Sequence, residues 1–295
     1  MVSVLIDPKA GFCPGVSNAI SKAENLLDSP GKVFSLGELV HCPEEINRLE
    51  FLGLKTISKE DIDSVSDSKI LIRAHGVSPN VQHRLNKTNN EIIDATCGTV
   101  YRLQQKVKIS SMQMRQSDGQ VVIYGKENHP EVEGLIGYCH SKYVIAKDPE
   151  DIGNIDINSP ISIFAQTTAN VADFEQFVNN IYNKLLENGL EANRVQVYNT
   201  ICTPMKNRVP QLRSFAKEHD VIVFVAGENS SNGNYLYSIT KKDNNRAFMV
   251  SGPGQISPGW FDNVQKIGVS GGNSTPIWLL EEVADEIKRM LGRQS

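Results

Sequence analysis

The feature that most constrains the fold is a set of nine apolar runs that falls into three groups of three. The first run of each group leads directly into a cysteine, Cys13, Cys97 or Cys202. A segment with helical periodicity follows each cysteine, and two more apolar runs then follow, each ending in small or polar residues. Apolar runs that alternate with helical segments are typical of α/β units around mostly parallel sheets.

The spacings within the three groups agree closely. The first polar end lies 28, 32 and 28 residues after the cysteine, and the second lies 62, 70 and 72 residues after it. Such self-similarity indicates an internal repeat. We therefore predict an α/β protein with three similar αβα domains in a trefoil, related by pseudo-threefold symmetry around a central site. The predicted domains are 1–97 with the N-terminal strand and Cys13, 98–200, and 201–295 with a C-terminal helix.

Composition and charge agree with this prediction and exclude several classes of protein. The chain has 295 residues, 40% of them hydrophobic, and a formal net charge of −4 without a long block of like charge, which argues against a nucleic-acid partner. The longest strongly apolar run, Val221 to Ala226, falls far short of the roughly 20 residues that span a bilayer. The first residues do not resemble a secretory signal. We expect a soluble, cytoplasmic protein without a membrane partner.

Three cysteines at equivalent repeat positions are candidate metal ligands. Ligands bind at the carboxyl ends of parallel strands, so Cys13, Cys97 and Cys202 are expected to converge. Three thiolates suit an iron–sulfur cubane with one open iron, or a zinc ion with a water or histidine as fourth ligand; structural thiols are the third interpretation. The five cysteines are an odd number spread through a long chain without a secretory signal, which argues against a disulfide framework. They contain no CxxC pair, which argues against a zinc ribbon and a thioredoxin-type redox pair. We expect Cys42 to be a structural thiol.

The other strand ends carry polar residues that suit a compact anion and proton transfer. The sequences NSSN at 229–232 and GGNS at 271–274 offer hydroxyl, amide and backbone N–H donors, and His41 and His75 can donate to phosphate oxygens. The HPE sequence at 129–131 places an imidazole beside a carboxylate that can act as a proton donor. No dinucleotide or P-loop motif occurs, so electrons would have to come from an external donor. Polar neighbours predict surface positions for the histidines at 83, 140 and 219.

Together these motifs resemble the LytB-type iron–sulfur enzymes, the 4-hydroxy-3-methylbut-2-enyl diphosphate reductases. The resemblance covers nearly the whole chain, and its motifs occur in a family-like order. They are GFCPGV, GELVH, RAHGV, DATC, HPEVEG, QTT, the Cys202 segment with NR at 207–208, NSSNGN, and the end from Ser274 to Pro276. The resemblance implies the trefoil fold. It also implies reductive dehydroxylation of that diphosphate to isopentenyl and dimethylallyl diphosphate, the last step of the methylerythritol phosphate pathway to isoprenoids.

The resemblance also implies a role for each candidate residue. The three cysteines would hold a [4Fe–4S] cluster whose fourth iron binds the substrate hydroxyl. The residues that would hold the diphosphate are His41, His75, Ser230, Asn232 and Ser274, with His129 and Ser231 near it. Glu131 would deliver protons through a network that includes Thr167, and His129 beside it would orient the reacting groups. A reduced ferredoxin or flavodoxin would supply two electrons.

Three positions depart from the family pattern. Gly98-Thr99 follows Cys97 where proline is usual, Thr203-Pro204 follows Cys202 where an acidic and a small residue are common, and Cys42 stands where asparagine is common. These departures remove no predicted ligand, but they lie beside the ligands and could change cluster potential, oxygen sensitivity or substrate preference.

Two alternative functions stay open at this point. One is a divergent paralogue that uses the same site on another hydroxylated or phosphorylated substrate. The other is a diphosphate-binding protein that is stabilised by a cluster or zinc and does not turn over. Glu131 and Thr167 argue against the second alternative, because anion binding needs no proton donor.

Overall fold

The computed structural model describes residues 2–293, in which helices follow strands as the repeat predicts. The strands are β1 (Ser3–Ile6), β2 (Val33–Leu36), β3 (Leu54–Ile57), β4 (Lys69–Ile72), β5 (Glu91–Asp94), β6 (Gln120–Tyr124), β7 (Lys142–Ala146), β8 (Ile161–Ala165), β9 (Val195–Tyr198), β10 (Val221–Val225), β11 (Ala247–Val250) and β12 (Lys266–Gly271). The α-helices are α1 (Pro14–Leu27), α2 (Pro43–Phe51), α3 (Pro79–Leu85), α4 (Gly98–Gln116), α5 (Pro130–Ile136), α6 (Val171–Glu187), α7 (Thr203–Lys217), α8 (Ser231–Asp243) and α9 (Ile277–Arg293).

The chain divides into two compact units. The first combines the chain up to Thr56 with the chain from Pro204 onward. It contains a parallel sheet of order β1-β12-β10-β11. All five residues of β10, VIVFV, are buried, as expected for a strand covered on both faces of a parallel sheet. Strand β1 lies at the edge, with Ser3 opposite Lys266 of β12.

The second unit runs from Ile57 to Thr203. Its parallel sheet has the order β7-β6-β8-β9, and β4 and β5 pair in parallel within the same unit. The central strands β6 and β8 are buried at every position. Helix α4 packs Leu103 and Val107 into a core with Val121 and Ile123 of β6, so the helix that starts at Cys97 is anchored to the sheet.

The predicted fold class, α/β with three parallel sheets, is confirmed. The strands fall into three sets of four, β2 to β5, β6 to β9, and β10 to β12 with β1. The domain boundaries stay a prediction, and β1, which the sequence assigned to the first domain, is hydrogen-bonded to β12. Within residues 2–293 no helix combines the length and apolar content needed to cross a membrane.

One histidine differs from its predicted placement. His83 and His140 are exposed, as the sequence predicts. The prediction for His219 is wrong, because only 8% of the residue is exposed. Its ring packs on Phe215 with centroids 4.2 Å apart, and its Nδ1 lies 2.7 Å from the Phe215 carbonyl oxygen. The polar neighbours of His219 in sequence are exposed, but the histidine itself turns back onto the end of α7, the helix that precedes it.

Candidate active site

The three cysteines of the repeat occupy equivalent local positions. Cys13 and Cys97 are the N-caps of α1 and α4, and Cys202 directly precedes α7. Each donates its backbone N–H to a carbonyl just beyond the end of a neighbouring strand. The acceptors are the carbonyls of Asn273, Ala74 and Thr167, at 3.1, 3.0 and 2.9 Å. All three cysteines are partly exposed and free of disulfides. The thiolate is the form of cysteine that ligates metals.

The other two cysteines lie in different surroundings. Cys42 is 3% exposed, as expected of a structural thiol, and that role stays a prediction. Burial raises its pKa to about 12. Burial also raises the pKa of Cys139 to about 12. Thiols that stay protonated are poor metal ligands. Cys42 and Cys139 are therefore poor candidates for metal ligation.

A buried carboxylate and hydroxyl pair lies in the second unit. Glu131 and Thr167 are 1% and 5% exposed. The Thr167 hydroxyl donates to Glu131 Oε2 at 2.6 Å, and the Thr167 backbone N–H donates to Oε1 at 2.7 Å. Burial raises the pKa of Glu131, although the two bonds from Thr167 act in the opposite direction. The carboxyl group therefore keeps its proton to a higher pH than an ordinary glutamate does.

Two of the predicted anion-binding histidines meet in the same unit. His75 follows β4 and His129 is the N-cap of α5, and their rings lie edge to face with centroids 5.2 Å apart. Two glycines allow α5 to approach the loop that carries His75. Gly134 lies against the His75 carbonyl, and a Cβ added to Gly137 would lie 2.3 Å from the Cβ of Ser78. Any larger residue at 137 would push the helix and the loop apart.

The loops after β10 and β12 are tied together in the first unit. Asn232 accepts the Asn273 backbone N–H on its Oδ1 at 2.7 Å. The side-chain amides of both asparagines donate to the Met205 sulfur, the amide of Asn273 at 3.2 Å. Ser230 caps α8 by accepting the Gly233 N–H at 3.0 Å. Met205 is not recognisable from the sequence, because a thioether carries no polar signal; only its position three residues after Cys202 indicates it.

The other predicted anion-binding residues lie near these two loops. Ser231 is the first residue of α8, and Ser274 directly follows Asn273. The His41 carbonyl lies only 2.5 Å from the point that a Cβ of Gly227 would occupy, so the backbone of His41 packs against the start of the loop after β10. The first unit therefore brings together the backbone at residue 41 and the loop segments 230–232 and 273–274.

A buried ion pair lies beneath these loops. Asp7 and Arg208 are each 3% exposed, and Arg208 Nη2 lies 2.7 Å from Asp7 Oδ2. The Ser270 hydroxyl accepts from Arg208 at 2.7 Å and donates to Asp7 at 2.9 Å. Asp7 follows β1 on the way to Cys13, and Ser270 lies near the end of β12. The pair therefore fixes the ends of two adjacent strands. The sequence marked Arg208 only as part of an NR motif.

The departures beside the cysteines are compatible with the helix starts. Gly98 is the first residue of α4, and the Thr99 hydroxyl accepts from Arg102 at 3.3 Å. Pro204 is the second residue of α7, where a helix needs no backbone N–H donor. These residues leave the local geometry of Cys97 and Cys202 intact.

Comparison with known proteins gives consistent matches over the full length. A family model described as LytB protein matches residues 4–288. A protein of Parabacteroides distasonis named 4-hydroxy-3-methylbut-2-enyl diphosphate reductase is 40% identical over 290 residues, which cover 98% of this chain and 99% of that protein. A protein of Bacteroides fragilis with the same name is 38% identical over 294 residues and is covered completely, as is this chain.

Two solved structures share the fold. One is (E)-4-hydroxy-3-methyl-but-2-enyl diphosphate reductase, described as the terminal enzyme of the non-mevalonate pathway; it has a TM-score of 0.71 and 35% identity, and the match covers 98% of this chain and 100% of that one. The other is the E-1-hydroxy-2-methyl-but-2-enyl-4-diphosphate reductase of Plasmodium falciparum, with a TM-score of 0.83, 24% identity and coverage of 97% and 87%. At that identity the second match bears on the fold alone.

Proposed function

The chain belongs to the LytB protein family, a family of iron–sulfur enzymes, and on that basis we propose that it is a 4-hydroxy-3-methylbut-2-enyl diphosphate reductase. The reaction takes up two electrons and two protons, breaks the C–O bond of the allylic alcohol, and releases water with isopentenyl or dimethylallyl diphosphate. The observation that carries the proposal is the buried pair of Glu131 and Thr167, which equips an anion site with a proton donor.

We propose Cys13, Cys97 and Cys202 as the ligands of a [4Fe–4S] cluster. Their equivalent positions at helix starts, their partial exposure and their lack of disulfides support this assignment. Three thiolates would leave one iron without a protein ligand. When bound, the cluster supplies electrons and Lewis acidity at that iron, which lowers the cost of losing hydroxide.

The diphosphate is assigned to His41, His75, Ser230, Asn232 and Ser274, with His129 and Ser231 beside it. Ser230 and Asn232 use their side chains inside the protein, so they hold the backbone N–H groups at the start of α8 in place. The N-terminus of a helix attracts anions. The paired rings of His75 and His129 add ring N–H donors.

Glu131 is assigned the proton transfer. An ionised carboxylate near a diphosphate would repel it, whereas a protonated one would not. The raised pKa of Glu131 favours the protonated form, and Thr167 holds the carboxyl group in one orientation. The carboxyl group can therefore give a proton to the departing hydroxyl. The non-catalytic alternative leaves this buried pair without a purpose.

The test of the function is turnover under anaerobic conditions. Cluster-loaded protein is mixed with dithionite and 4-hydroxy-3-methylbut-2-enyl diphosphate, and the products are separated by chromatography. We expect isopentenyl and dimethylallyl diphosphate. If the loaded protein binds the substrate but releases neither product, the reductase assignment fails and the divergent-paralogue interpretation replaces it.

A further inference from the structure

Helix α4 has an unusual charge for this chain. Its 19 residues contain four cations, Arg102, Lys106, Lys108 and Arg115, and no acidic residue, although the whole protein has a net charge of −4. None of the four forms an ion pair within residues 2–293. The cations are therefore not neutralised by the protein itself, and they create a local positive potential.

The same helix exposes large apolar side chains. Tyr101 is 55% exposed, Ile109 is 59% exposed and Met112 is 43% exposed. One such residue on a surface needs no explanation, but three on one helix form a patch that indicates a binding surface. Tyrosine and methionine are also among the residues enriched at protein interfaces.

The cationic residues of α4 lie on either side of its exposed apolar residues. At 100° per residue, Tyr101, Ile109 and Met112 lie in the middle of the exposed side of α4. Arg102 and Lys106 lie on one flank, and Lys108 and Arg115 lie on the other. An apolar centre with a charged rim is the usual arrangement of a protein-binding surface. We call the exposed side of α4 between Tyr101 and Arg115 the α4 face.

The α4 face begins one turn from a proposed cluster ligand. Cys97 is the N-cap of α4, and its carbonyl accepts the backbone N–H of Tyr101 at 2.9 Å. The Asp94 carboxylate, three residues before Cys97, accepts hydrogen bonds from the backbone N–H and the hydroxyl of Thr96. A partner seated on this face would therefore lie one helical turn from Cys97.

We propose that the α4 face is the docking surface for a small acidic electron-carrier protein, which delivers electrons to the centre held in part by Cys97. The inference rests on the proposed function, because the reaction consumes electrons and the chain carries no dinucleotide motif. An acidic partner complements the four cations, whereas a symmetric dimer through this face would bring the four cations of the second copy against them. Each turnover oxidises two one-electron carriers, uses two protons and releases one water.

The experiment compares two double charge reversals. The variant R102E/K106E reverses two cations on the α4 face. The control K55E/K87E makes the same change in net charge at two exposed lysines outside it. Turnover is measured with dithionite and with a reduced plant-type [2Fe–2S] ferredoxin. The affinity of each protein for the oxidised ferredoxin is measured by titration, which needs no substrate and no turnover.

We expect R102E/K106E to lose about tenfold or more in ferredoxin affinity and ferredoxin-driven rate at low salt, with a weaker salt dependence. Dithionite-driven turnover should match that of the wild type, and K55E/K87E should behave as wild type throughout. The variant I109N should weaken ferredoxin binding without a change of charge.

Several results would overturn the inference. Equal ferredoxin affinity in R102E/K106E and the control would remove the role of the α4 face. If the wild type is a dimer and R102E/K106E dissociates it, the α4 face mediates contacts between copies. If the wild type binds a DNA duplex but no ferredoxin, and R102E/K106E loses the DNA binding, the face binds nucleic acid. Absence of dithionite-driven turnover in the wild type would instead reject the proposed function, so the two failures can be told apart.

Discussion

The close approach of Gly137 to Ser78 permits a sharp test of how the two histidines are positioned. Helix α5 carries His129 at its start and Gly137 at its end, and the loop that it packs against carries His75 and Ser78. The substitution Gly137→Ala adds a single methyl group at the point of contact. Neither histidine is touched, so a change in anion binding would come from displacement alone.

The size of the displacement follows from the structure. The added Cβ would lie 2.3 Å from the Ser78 Cβ, whereas ordinary contacts begin at 3.4 Å. The helix and the loop must therefore separate by about 1.1 Å. Loss of one hydrogen bond to a charged group costs about 1.5–3 kcal/mol, which corresponds to about 10- to 100-fold in affinity.

The assay is calorimetric titration with inorganic diphosphate. We expect Gly137→Ala to weaken binding by up to about 100-fold, because the displaced histidines lose hydrogen bonds to the anion. The double variant G137A/S78G should recover most of the loss, because it removes the atom that clashes. Ser78 is also the N-cap of α3, and a serine-to-glycine change at an N-cap costs only a few tenths of a kcal/mol in stability. The matched control is Gly153→Ala, since a Cβ added there has no heavy atom within 4 Å.

Two results would refute this reasoning. If Gly137→Ala binds diphosphate as the wild type does, the contact does not set the position of the histidines. If G137A/S78G stays as weak as G137A while its circular dichroism and melting temperature match the wild type, the loss has another origin than the clash with Ser78.

The remaining predictions concern the proton donor and the ligands. Glu131→Gln should keep cluster content and diphosphate affinity but lose most of kcat, as expected for an interaction needed only in the transition state; unchanged turnover would reject the role. Burial raises the pKa of Glu131 in the folded protein, so the wild-type free energy of unfolding should fall as pH rises from the unfolded-state pKa of about 4.3 through the raised folded-state pKa. Urea titrations at each pH measure this slope, and Glu131→Gln should remove it. Serine at Cys13, Cys97 or Cys202 should abolish iron and sulfide incorporation, whereas Cys139→Ser should not; equally complete loss in Cys42→Ser would contradict the three-ligand assignment.

The repeat was readable from the sequence because it is carried by one-dimensional signals. Continuous apolar runs such as VIVFV of β10 give buried parallel strands, and the residues that follow them must lie at the carboxyl edge of the sheet. The equivalence of Cys13, Cys97 and Cys202 follows from the same spacing. The structure adds the reason for it, since each cysteine starts a helix and donates to the end of a neighbouring strand.

Other features could not be read from the sequence, because they depend on which segments meet in space. The Met205 sulfur accepts from two asparagines that lie 27 and 68 residues away. Burial of His219 depends on the turn of its ring onto Phe215, and local polarity predicted the opposite. The need for glycine at 137 appears only when the loop of Ser78 is placed against it.

The pairing of β1 with β12 has a consequence for the order in which the chain is made on the ribosome. Strand β1 emerges before all the other described strands, but its hydrogen-bonding partners, residues 266–269, emerge more than 250 residues later. The segment Ile57–Thr203 is continuous and can form its contacts while synthesis proceeds. The Asp7–Arg208 ion pair and the bond from Cys13 to Asn273 must wait for the C-terminal third. Cys13 is therefore the first of the three cysteines to be translated and the last to be fixed, and metal loading that uses all three belongs after translation.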